Sequence, residues 1–346
     1  MVKIKTPHVD FIWTPGNGPD ETARQRLIHR FPKPTSPMGE AWFMSNERRM
    51  YTEALQITFE YLDHTITNRM FDEIITGPPC FGQLDEWQRW FHYFLPNLIP
   101  LAFKKPGTSY IAEWLASAIF SQLPEGLEDG PYRGFRDDVL ATLGQVLMAP
   151  DIWQDGHLKW QGGLFKEGGR YGDSSWYLDQ TSPPISALLF FCVKYLRPSQ
   201  IEPWFRSAIN IDCPLWRSQL IVWLTGARRI LTGEITQPKD FGDLESRVQW
   251  EWSHVHSGNY SGNFPPPALI MNARGKNITD QRNCDEEQLS NISFIPKVNL
   301  LAFRSCLNAQ LPKSAREALA YQVMDVPLLE KEMGVIATEF VDMDFK

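Results

Sequence analysis

The sequence predicts a mainly α-helical protein: an irregular helical bundle, or a HEAT-like stack of paired amphipathic helices with long loop insertions. Three observations lead to this class. Between Gln83 and Leu231, apolar residues recur three and four positions apart in at least six segments. Prolines stand between those segments, where a missing N–H and a fixed φ end one helix or open the next. The 346 residues are 43% hydrophobic and 13% aromatic, which is enough apolar side chain to fold nearly all of the chain around a sizeable core.

Four regions are expected: a wrapping arm over 1–44, a helical body over 45–235 with a glycine and aromatic insertion at 154–181, a long irregular region over 236–293, and C-terminal helices with a strand over 294–346. In the arm, Val2 to Lys5 reads as a strand, and Asp20 is placed to cap a helix opening at Glu21. From Ser45 to Ile75 two apolar stripes, Met50/Ala54/Ile57/Tyr61 and Tyr51/Leu55/Phe59/Leu62, predict one helix held between neighbours.

The next helix carries Leu84, Trp87, Phe91, Phe94 and Leu98, and Pro96 and Pro100 should bend or end it. Thr108 is placed to cap a helix with Ile111, Leu115, Ala118 and Ile119 on one face. A third begins near Tyr132 and stops before Pro150. These three are expected to pack together. Ser182, Pro183 and Pro184 open a helix that ends at Pro198, and Ser199 and Glu202 have the spacing of a capping box. Pro214 opens the next, with Trp216, Leu220, Trp223 and Leu231 in a stripe. A second capping box is predicted at Ser314 and Glu317. The segment Gly334 to Phe345 alternates as a strand would, and it is expected to pair with Val2 to Lys5 in a small terminal sheet. Unequal helix starts weaken the regular stack relative to the bundle.

Composition narrows the function. With 41 acidic and 34 basic residues the net charge is −7, so a nucleic-acid partner is disfavoured. The most apolar run, Ile185 to Leu196, is shorter than the roughly 20 residues that cross a bilayer and contains Lys194, so it reads as a buried helix and no membrane partner is expected. The N-terminus lacks the apolar stretch of a signal peptide. Five cysteines without a C-x-x-C pair read as reduced thiols, and a cytoplasmic location follows.

Motifs that would carry chemistry are incomplete. Glu251, His254 and His256 form the best metal or acid/base candidate, because helical spacing brings Glu251 beside His254 and strand spacing brings the two histidines together. A carboxylate-bridged di-iron site would need a second Glu-x-x-His, which the chain lacks. Asp137 and Asp138 lack the further carboxylate one turn on that a magnesium–diphosphate site needs, and read as a solvated first helical turn. In the glycine-rich segment 161–176, Lys166 is followed by Glu167 rather than Ser or Thr, which points to a hairpin or lid instead of a phosphate loop. No cofactor is assigned.

Two aromatic loops remain as candidate contact surfaces, one with Tyr171, Trp176 and Tyr177 and one with Tyr260 and Phe264 beside three consecutive prolines. The expected function is therefore a non-catalytic protein-binding module, an adaptor, inhibitor or immunity-type protein, whose partner would suit the acidic body by being basic. The alternatives are a helical enzyme using Glu251, His254 and His256 in an aromatic-lined pocket, and a structural subunit of a larger assembly. Self-association is not legible in the sequence.

Overall fold

The computed structural model describes residues 10–40, 46–60, 64–81, 84–104, 108–123, 125–159, 167–170, 173–176, 182–236, 293–323 and 333–345. It is mainly helical, with short two-stranded sheets. The helices are α1 (Glu21–Arg30), α2 (His64–Phe81), α3 (Leu84–Leu98), α4 (Tyr110–Gln122), α5 (Phe135–Thr142), α6 (Pro183–Tyr195), α7 (Pro198–Ile209), α8 (Pro214–Gly226), the short α9 (Arg228–Leu231), α10 (Lys297–Gln310), α11 (Lys313–Val323) and α12 (Met333–Asp342). The strands are β1 (Met38–Gly39), β2 (Met50–Tyr51), β3 (Trp153–Gln154), β4 (His157–Leu158), β5 (Glu167–Arg170) and β6 (Asp173–Trp176), paired antiparallel in sequence order.

Among the described residues, a single cluster of buried apolar side chains runs from Phe11 to Phe345. The arm belongs to it. Trp13 is buried edge-on against Trp204 and Trp216, at centroid distances of 5.4 and 5.7 Å, and its Nε1–H donates to the Gly144 carbonyl at 2.8 Å. The chain then turns at Gly18, whose φ of +62° favours glycine, and whose Cα hydrogen faces Ala149 where a Cβ would come within 3.2 Å of the Ala149 Cα. The Asp20 Oδ1 accepts the Ala23 N–H at 2.6 Å, satisfying one orphan donor of α1 as its sequence predicts.

Packing partners are often remote in sequence. α4 packs chiefly on α6, α7 on α10, and α8 on α11 and α12, while α2 and α3 pack on one another. A HEAT-like stack needs each pair to bury its face against the next, so the arrangement is an irregular bundle. Of the three helices expected together, α3 and α4 touch, but α5 packs mainly on α1. The long segment after α9 leaves and returns at one point, where the Phe294 N–H donates to the Thr236 carbonyl at 2.8 Å.

Several local expectations are corrected. Met333–Asp342 is a helix, not a strand, because Ile336, Ala337 and Phe340 make one apolar face that is buried where α12 packs on α8 and α11. The Val2 to Lys5 strand expected to pair with it lies outside the described residues. No single helix spans 45–75: Met50–Tyr51 pairs with Met38–Gly39, a 3₁₀ turn follows at Thr52–Gln56, and α2 starts only at His64. Arg48 fixes that β-pair, donating to the Gly39 and Glu40 carbonyls.

Helix starts also shift. α4 opens at Tyr110, with the Ile111 N–H donating to the Thr108 carbonyl. α7 opens at Pro198 rather than after Ser199. The Arg197 N–H donates to Gln200 Oε1 at 3.2 Å, while Glu202 pairs with Arg206. α11 opens at Lys313, with the Pro312 carbonyl accepting the Ala315 and Arg316 N–H groups, which places Ser314 inside the first turn. Pro96 sits inside α3, which ends at Leu98 and passes into a 3₁₀ turn containing Pro100.

Candidate functional site

A cleft of about 370 Å³ opens between residues 30–36 and the face of α3 that carries Glu86, Arg89, Trp90 and His92. One wall follows from the sequence Phe31-Pro-Lys-Pro. Pro32 and Pro34 cannot continue α1, so the chain leaves its C-terminus extended. Trp90 pins this wall, its Nε1–H donating to the Ser36 carbonyl at 3.1 Å. Lys33 reaches across, its Nζ donating to the Leu55 and Ile57 carbonyls at 2.7 and 3.1 Å.

The floor is aromatic. The His92 imidazole stacks on Phe31, with centroids 4.4 Å apart and planes 14° from parallel, and meets the edge of Phe135 at 5.9 Å. Burial disfavours its charged form and lowers its pKa from 6.5 to about 4. The ring is therefore neutral at physiological pH. Pro96, four residues on, lacks the N–H that would otherwise bond the His92 carbonyl.

The charges facing the cleft differ in how far they are engaged. Glu86 accepts from Arg48 Nη2 at 2.9 Å and from the Gly39 N–H at 3.0 Å. Arg89 pairs with exposed Asp85 at 3.2 Å. The Arg30 guanidinium lies 5.3 Å from the centroid of the Tyr132 ring. Tyr132 is fixed in turn, its hydroxyl donating to Asp138 Oδ2 at 2.7 Å.

Asp138 is buried, not the solvated residue of a first helical turn. Arg26 donates to its Oδ1 from Nε at 2.9 Å and from Nη2 at 2.6 Å. Asp137 pairs with Arg197 at 3.3 Å. The two side chains thus serve different neighbours, and neither is left to share a cation.

Of the contact residues predicted from sequence, Trp176 is the last residue of β6, in register with Glu167, and the expected glycine-rich hairpin is present as β5 and β6. Tyr171, Tyr177, Tyr260 and Phe264 lie outside the described residues, as do Glu251, His254 and His256. Among the described residues, no group of three or more His, Cys, Asp and Glu side chains is placed to hold a metal ion, and no helix is long and apolar enough to cross a membrane. Cys192, Cys213 and Cys306 are buried free thiols.

The cleft itself is not among the predicted sites. Its signals were the Pro-Lys-Pro exit from α1 and the cationic and aromatic residues on one side of α3, but which extended segment lies against which helix is set by tertiary packing. Comparison with protein-family models, characterised proteins and solved structures finds no match to the chain.

Proposed function

We propose that the protein is a non-catalytic protein-binding module that receives a segment of its partner in the cleft between residues 30–36 and α3. One observation carries this reading: the ammonium of Lys33, the carboxylate of Glu86 and the indole N–H of Trp90 are each already bonded within the chain. They hold the cleft in one shape. His92, neutral down to about pH 4, is poorly matched to exchange protons near pH 7 but offers an apolar ring. Rigid aromatic surface beside a few polar groups is the composition of a recognition site, where preorganisation reduces the entropic cost of binding.

The test is affinity capture from the source cells with wild-type protein and with Thr35→Trp, which places an indole in the cleft from an exposed backbone position. A specific protein recovered by the wild type and lost with the variant is the expected result. Equal recovery by both, with both folded by circular dichroism, would reject the cleft as the docking site.

A further inference from the structure

We infer that the cleft takes a short acidic segment of a partner protein, with Arg30 as the residue that reads its carboxylates. This rests on the protein-binding reading above and specifies the chemistry of the ligand. Charge complementarity argues for it. The cleft is lined by three cations, Arg30, Lys33 and Arg89, against one carboxylate, Glu86, which is already bonded by Arg48. The local sign is thus opposite to the net charge of −7 on the whole chain. At physiological ionic strength charges are screened beyond about 8 Å, so a bound segment responds to the walls of the cleft more than to the distant surface.

The three cations have different parts. Lys33 spends two of its three N–H donors on the Leu55 and Ile57 carbonyls and has one left to share. Among the described residues Arg89 is held by Asp85 alone, Nε donating to its backbone carbonyl at 3.1 Å and Nη2 to its exposed carboxylate at 3.2 Å, and that carboxylate is an exchangeable partner. Arg30 is preplaced. The ring of Tyr132 lies beneath its guanidinium, Asp138 anchors that ring, and Arg26 anchors Asp138. Its planar fork of donors matches a carboxylate in two parallel hydrogen bonds, which a lysine cannot do. Phe31 and the stacked His92 supply an apolar surface for the side chains between the acids, while the buried Trp90 holds the wall behind them. The ligand is accordingly an extended segment in which acidic and apolar residues alternate.

Fluorescence anisotropy with a labelled peptide alternating Glu and Leu tests this on the full chain, against the same peptide with Gln for Glu, with Lys for Glu, and a labelled oligouridylate. The Glu peptide should bind and the others should not. Arg30→Gln should weaken binding by about fivefold, the upper end of the scale for one lost exposed ion pair. Arg30→Lys should lose less than Arg30→Gln, and Lys313→Gln, outside the cleft, should leave binding unchanged. Equal binding of the Gln peptide, tighter binding of the oligouridylate, or unchanged affinity in folded Arg30→Gln would overturn the inference. If Thr35→Trp abolishes partner capture while the Glu peptide neither binds nor competes, the ligand class fails and the protein-binding reading stands. If Thr35→Trp leaves capture intact, that reading fails first.

Discussion

Lys194 sits where lysines are rarely found. It is 3% exposed, its Nζ donates to the Phe294 carbonyl at 2.6 Å, and the rings of Phe120, Tyr195 and Phe294 lie within 5.5–5.7 Å. Burial penalises its charged form and lowers its pKa from 10.5 to about 7. Between those values the unfolded chain binds the proton that the folded chain releases, so stability rises with pH through this interval and the penalty is complete below about pH 7. The buried thiols of Cys192 and Cys306 act oppositely: burial raises their pKa, so they favour unfolding above their ordinary value of 9.0. The effect of Lys194 is therefore expected between pH 7 and about 9. Urea melts of the wild type should show stability climbing across that window by about 1.4 kcal/mol per unit at most, and Lys194→Met should flatten the climb. An identical pH profile in the variant would show that the amine is not desolvated in the folded protein. The apolar run around Lys194 was legible as a buried helix. The pairing of Asp138 with Arg26 and Tyr132 was not, because these residues meet only after α1 docks on α5.

Individual elements were legible where local signals acted alone. Asp20 caps α1, and Pro183 and Pro214 open α6 and α8, because a capping carboxylate or a preset proline φ needs no distant partner. Short segments whose fate depends on a neighbour were misread. Residues 334–345 fit both periods, and α8 and α11 selected the helix. The Asp155-Gly156 turn between β3 and β4 was not predicted; both residues take positive φ, 52° and 79°, as a two-residue hairpin loop requires. The arm makes the strongest demand at this scale. Trp13→Ala would leave a void between Trp204 and Trp216 and orphan the Gly144 carbonyl, for a loss of about 3–5 kcal/mol. The end of α6 depends similarly on one side chain. Asn299 Nδ2 donates to the Val193, Lys194 and Leu196 carbonyls at 2.8–2.9 Å. Asn299→Ala should cost about 1–3 kcal/mol, because these buried acceptors would have no substitute donor. Chemical denaturation measures both, and a change within ~0.5 kcal/mol for either would contradict these contacts.

For the molecule as a whole, the departure from a regular stack has a mechanical meaning. In a solenoid each repeat is stabilised by its neighbours, so removing the end leaves the remainder folded. Here α7 and α8 bury their faces against α10, α11 and α12, which follow the long segment. Residues 1–236 alone should therefore lack a cooperative thermal transition and bind a hydrophobic dye. A sharp melt for that fragment, matching the full chain, would restore the repeat architecture. The tryptophan count was visible in the sequence, but not its use: Trp13, Trp87, Trp90, Trp204, Trp216 and Trp223 are all fully buried, so they hold the bundle together and only Trp90 borders the cleft. The hydrogen bond between Phe294 and Thr236 also bears on how the chain can vary. It fastens the chain at one spot on either side of residues 237–292, and the closure entropy of a flexible insertion grows slowly, by only about 0.6 kcal/mol for each doubling of its length. Natural variants, grafted reporters or whole inserted domains should be accommodated at this doorway more readily than at any turn inside the bundle.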